Sequence, residues 1–167
     1  HPSYATGGVL IITNGQKMQP SNPYWIPIVV SSDGVLWANR EQQIQFAPVS
    51  DVAADSAAWQ TTSLPSGITI GTEGPDGAMY FSGQGTGICR YLDGAVAKIV
   101  VEGVTDTTTA TDFWYNGGDV LWAAASDKLV RFDGTSWATF ALSRSGYVIT
   151  DIDVEGNSVW CGSTNGL

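Results

Sequence analysis

The sequence predicts an all-β fold of repeated four-stranded units, a small β-propeller of about four blades. Three observations carry that expectation. Glycine supplies 20 of the 167 residues, alongside many Ser, Thr and Asp, so turns come often. Seven tryptophans is a high count for this length, and aromatic-rich short strands favour an all-β class. One short pattern also recurs along the chain: a Gly-containing turn, then a largely apolar pair, then an aromatic.

The pattern reads Asp33-Gly34-Val35-Leu36-Trp37 and Asp76-Gly77-Ala78-Met79-Tyr80. It returns as Gly118-Asp119-Val120-Leu121-Trp122 and Gly156-Asn157-Ser158-Val159-Trp160. The period of about 40 residues suits a four-stranded propeller blade. Each turn joins two β-like runs as a hairpin. The first strands, a, are Ile26–Val30, Gly67–Thr72, Thr111–Tyr115 and Val148–Val154, and the aromatic lies on strand b. Strand c follows as Gln43–Ala47, then as two runs that each carry an Arg-aromatic pair before an Asp-Gly turn: Gly87–Gly94 and Asp127–Gly134. Strands d are Ala58–Leu64, Val96–Val101 and Ser136–Leu142. The chain is thus expected to be one domain, 1–167, with blades at 26–66, 67–105, 110–143 and 147–167. No helical period of useful length is present.

The last blade ends at Thr164-Asn165-Gly166-Leu167, where a third strand should begin. Residues 8–15 have the glycine spacing of a strand c, and residues 16–18 could start a strand d. The expectation is that residues 8–18 complete the last blade and leave no open edge. The rival reading is a longer propeller cut in mid-blade. His1 in place of Met fits a cut or a tag remnant.

A net charge of −9, with seven Lys and Arg, repels phosphate backbones. Nucleic-acid binding is therefore not expected, nor is insertion into a membrane. Cys89 and Cys161 form no CxxC pair and have no neighbouring His, so zinc is not expected, and both are read as buried free thiols.

The run Ile149–Leu167 resembles the repeat of two-component-regulator-type sensor propellers: an apolar strand, a Gly-Asn turn, an apolar-Trp pair and a Thr-x-x-Gly-Leu-like segment. Lys128–Trp137 resembles its continuation, with Arg131-Phe132-Asp133-Gly134 ahead of Trp137. The resemblance covers the last 60 residues or so and implies propeller architecture, with ligand or partner binding as its usual task. Similar repeats occur in extracellular and phage tail proteins, which implies an extracellular or virion-surface setting.

Candidate chemistry is sparse. His1 is the sole histidine, so a Ser-His-Asp or Cys-His site is not expected. Gly83–Gly87 lacks the following helix that a phosphate loop needs and reads as a b–c loop. The carboxylate pairs Asp51/Asp55, Asp106/Asp112 and Asp151/Asp153 are available for hydrolysis, though nothing marks one out. Asp151-x-Asp153-x-Glu155 opens like a calcium loop, but Gly162 stands where the bidentate Glu belongs, so no metal is assigned. No cofactor is expected.

Trp37, Tyr80, Trp122 and Trp160 recur once per blade and are expected to pack between blades; Trp59 and Trp137 are also read as structural. Arg90 and Arg131 are expected to brace the Asp-Gly turns or pair with neighbouring acids. Tyr24, Trp25, Trp114, Tyr115 and Asn116 fall outside the repeat position, beside Pro, Asn or Gly. Aromatic faces beside amides suit sugar rings or partner surfaces, so these five are the candidate ligand-binding residues. The expected function is a non-catalytic recognition module for a glycan or protein ligand, held by blade-edge loops. The alternatives are a structural or assembly domain of a larger extracellular or phage tail protein, and a carboxylate-based enzyme acting on polysaccharide.

Overall fold

A computed structural model describes residues 11–13, 16–18, 25–54, 56–142 and 147–164. The chain divides into two compact units, 1–66 and 67–167.

In the first unit, β1 (Ile11–Thr13) and β2 (Gln16–Met18) form an antiparallel hairpin, a two-stranded sheet. Residues 8–10, 14 and 15 of the expected closing segment lie outside the described residues. β3 (Trp25–Val30), β4 (Val35–Arg40), β5 (Gln43–Pro48) and β6 (Gln60–Thr61) make a four-stranded antiparallel meander. The last strand is shorter than the expected Ala58–Leu64 run. A five-residue helix, α1 (Val49–Ala53), breaks the all-strand expectation. Asp51 favours its first turn through the helix dipole. Its Val52 is buried with Leu36, Ala38 and Ala47, which ties the turn to the sheet.

In the second unit, β7 (Ile68–Glu73), β8 (Met79–Gly83), β9 (Gly87–Leu92) and β10 (Ala95–Ile99) form a second meander. β11 (Ala110–Trp114), β12 (Leu121–Ala125), β13 (Lys128–Phe132) and β14 (Trp137–Ala141) form a third. β15 (Ile149–Glu155) and β16 (Ser158–Ser163) pair as a two-stranded sheet. The a-to-b turns fall where the repeat puts them.

Strand a of every repeat carries an irregularity that the sequence pattern did not reveal. The register skips one residue at Ile28, Thr69, Thr111 and Thr150. In β7, β11 and β15 the skipped residue is the second of the strand, and in β3 it is the fourth; such a bulge bends the strand locally. The bulge residue Thr111 also works between sheets: its hydroxyl donates to Ile149 O at 2.6 Å. Two further bonds join consecutive sheets, Ala110 N–H to the buried Ser82 Oγ and Ile152 N–H to Asp112 Oδ2, both 2.8 Å. Gly83 is required by close approach, since a Cβ there would lie 1.8 Å from Gly67 O.

The largest core cluster fills the space between the second and third sheets, with Tyr80, Ile88, Leu121, Val130 and Phe132 buried. A smaller one joins the third and fourth sheets around Ala124, Ile149 and Ile152. The repeat aromatics are not equally buried. Tyr80 and Trp37 are buried and Trp122 is half-buried, while Trp160 is 58% exposed. Expected inter-blade packing therefore fails at Trp160. Tyr80 lies against Phe132 and Trp137 on strands c and d of the next sheet, whereas no further sheet follows the one bearing Trp160 among the described residues of the second unit.

Candidate functional site

An open cleft of about 410 Å³ lies between the a–b hairpins of the third and fourth sheets, within the second unit. Strand register explains its floor. Trp114, Trp122 and Arg131 are successive cross-strand partners on β11, β12 and β13, so they form a row on one face. Val154 and Val159, paired across β15 and β16, provide the opposite wall. Asn116, Asp119 and Asn157 come from the two hairpin turns and supply polar groups at the rim. An aromatic floor with a few convergent amides is the usual make-up of a small-molecule site, and the volume suits one or two sugar rings.

The equivalent row in the second sheet is Thr72, Tyr80 and Arg90. There the row is closed from within the chain. Asp76, in the a–b turn, accepts the Tyr80 hydroxyl at 3.1 Å and Arg90 Nε at 2.7 Å on one oxygen, with Arg90 Nη2 2.6 Å from that atom. Its other oxygen accepts Ala78 N–H at 3.3 Å. Burial, then the Asp76 charge, pushes the Tyr80 phenol far above the usual tyrosine range. The expectation that Arg90 braces an Asp-Gly turn holds for the turn of Asp76.

The third sheet keeps the arginine but has Trp114 and Trp122 in place of Thr72 and Tyr80, and it lacks the turn acid. Gly118 stands four positions before Trp122, as Asp76 does before Tyr80. Arg131 pairs instead with Asp133 at 3.6 Å, beyond hydrogen-bond length. Asp133 is already occupied by the N–H and hydroxyl groups of Ser136 and Thr135, which hold its carboxyl well below the usual range.

Of the five candidate residues, the cleft gathers Trp114 and Asn116. Tyr115 packs against the core cluster of the second and third sheets. Trp25 opens β3 opposite Arg40 in the first unit, and Tyr24 lies outside the described residues. Sequence reasoning passed over Trp122, whose repeat position reads as packing, and Arg131, which reads as bracing a turn or pairing with a neighbouring acid. The absent turn acid at Gly118 was the available signal.

The carboxylates sort differently from the sequence pairs. Asp151 and Asp153 lie exposed on β15, an extended strand rather than a loop that could wrap an ion. Asp55 lies outside the described residues. Asp112 meets Asp151 rather than Asp106. It accepts Ile152 N–H on one oxygen and Phe113 N–H on the other, both at 2.8 Å. Burial raises its carboxyl above the ordinary range, and the Asp151 charge adds to that.

The structure is similar to a catalytically inactive virginiamycin B lyase from Staphylococcus aureus determined with quinupristin. The TM-score is 0.65 at 18% identity, over 93% of this chain and 56% of that one. It is also similar to the extracellular domain of a hybrid two-component system from B. thetaiotaomicron, with TM-score 0.67 at 14% identity, over 95% of this chain and 23% of that one. The fold is of the β-propeller type. A streptogramin B lyase matches at TM-score 0.59 and 16% identity, over 97% of this chain and 60% of the lyase. This chain thus spans little more than half the length of the lyases and about a quarter of the sensor domain. At these identities the likeness is one of fold. No protein-family model and no curated protein matches the chain.

Proposed function

We propose that this chain is a non-catalytic recognition module, working outside the cell, that binds a glycan or a protein ligand through its blade-edge loops. The observation that carries this reading is the cleft in which Trp114 and Trp122 form the floor and Asn116 and Asn157 the rim. Flat aromatic faces with amides beside them match the apolar face and hydroxyls of a pyranose, which favours a glycan. The extracellular setting is supported by the likeness to a sensor's extracellular domain. Among the described residues, no helix is long and apolar enough to cross a membrane. A binding role fits the carboxylates, since Asp112 is committed to two backbone N–H groups.

A glycan array and a pull-down with the whole chain test the reading. Binding that is lost in Trp114→Ala, with the fold intact by circular dichroism, supports it. Turnover of an array glycan by the wild type would contradict it. An assembly role is the second reading, favoured by the exposed rings of Phe140 and Trp160. Native mass spectrometry of the whole chain separates that role from ligand binding.

A further inference from the structure

The comparison of the two rows says what the ligand must bring. In the second sheet, Arg90 and Tyr80 converge on the Asp76 carboxylate, held by the turn. In the third sheet the arginine is retained, the tyrosine becomes Trp122 and the acid becomes Gly118. Exchanging Tyr for Trp removes the hydroxyl that would have needed the acid, while Arg131 still faces the cleft. Its partner Asp133 stands at 3.6 Å with its oxygens taken by Thr135 and Ser136. A guanidinium beside an aromatic floor, next to a place where the fold elsewhere sets a carboxylate, is an incomplete ion pair.

We infer that the cleft takes a carboxylate-bearing sugar, a hexuronic acid unit of an acidic glycan, whose carboxylate sits beside Arg131 as Asp76 sits beside Arg90. The inference rests on the cleft being the binding site. The sugar ring lies over Trp114 or Trp122, and Asn116 and Asn157 reach its hydroxyls. Asp119 is the acidic lining residue; it is exposed on the rim, where solvent and salt screen its repulsion.

Gly118→Asp is the sharpest variant, because it returns the acid to the turn. Gly118 needs no left-handed backbone, and an added Cβ would meet the movable Asn116 Oδ1 at 3.1 Å. Calorimetric titration of the whole chain uses oligogalacturonate and a glucuronate-containing oligosaccharide, each beside its methyl ester. The expected result is that at least one acid form binds and its ester binds roughly tenfold more weakly or worse. Arg131→Gln should erase that difference. Gly118→Asp should weaken acid binding by a similar factor at an unchanged or higher melting temperature. Should Gly118→Asp fail to fold, Arg131→Gln decides alone.

Equal binding of acid and ester, both lost in Trp114→Ala, overturns the acid preference and leaves the cleft standing. Binding that survives Trp114→Ala overturns the cleft itself. Failure of both acid forms to bind the wild type overturns the inference, as does an acidic peptide that binds through Arg131 in their place.

Discussion

Tyr80 and Arg90 face each other across β8 and β9, and both reach the same carboxylate oxygen of Asp76. One turn residue thus ties a fully buried phenol and a partly buried guanidinium to the hairpin that carries it. Asp76→Ala removes the acceptor of both and leaves two donors unpaired. The expected cost is about 2–4 kcal/mol, read from denaturant midpoints. A near-neutral result would mean that water replaces the carboxylate at this site.

The repeat aromatics should differ in stability cost as they differ in burial. Tyr80→Ala should cost about 3–5 kcal/mol, the usual penalty for a large core aromatic. Trp122→Ala should cost less, since its ring is half-buried and leans on Phe140 at 5.7 Å. Trp160→Ala should stay within about 1 kcal/mol, because its ring is exposed. Equal losses at all three would show that the ring of Trp160 is covered in solution.

Asp112 sets a pH dependence of definite sign. Its folded-state pKa is raised, by burial first and by Asp151 in addition. The folded chain therefore holds this proton more tightly than the unfolded chain. That contribution is fully present below the ordinary aspartate range and is lost as pH rises through the raised value. Asp151→Asn removes one raising cause. It should stabilise the protein at neutral pH, by no more than about 1 kcal/mol because Asp151 is exposed. The effect should vanish once the pH is low enough to protonate Asp112 in both states. Melting curves of the two proteins across that range check the sign.

Cys89 and Cys161 are both free thiols, one buried and one half-buried. Burial raises both above the usual thiol range, and access separates them. A thiol reagent should label Cys161 in the native protein and reach Cys89 only on unfolding. Non-reducing mass spectrometry should find no bridge between them; a linked peptide would contradict the sheet assignment.

Much of the fold was legible because its signals are local. A Gly-Asp, Asp-Gly or Gly-Asn turn before an apolar-aromatic strand marked β4, β8, β12 and β16, and the β-like runs ahead of those turns marked their partners. Helix α1 was not legible: five residues are too few to show a 3.6-residue period. The exposure of Trp160 was not legible either, since burial depends on which strands lie across from it. The Asp112–Ile152 bond joins residues 40 apart, a contact that no spacing rule encodes. At the site, Trp114 and Asn116 stood out as aromatics and amides off the repeat position. Arg131 hid behind a structural reading, because its sequence setting matches that of Arg90 while its turn partner does not.

The most direct test of the recognition role follows the seven tryptophan indoles by nitrogen-15 NMR, assigned by single Trp→Phe variants, during titration with a glycan that binds on the array. Binding in the cleft should shift the indole signals of Trp114 and Trp122 in a saturable way. Those of Trp37 and Trp59, in the first unit, should stay in place. Shifts confined to Trp37 and Trp59, with Trp114 and Trp122 unmoved at saturation, would contradict the account.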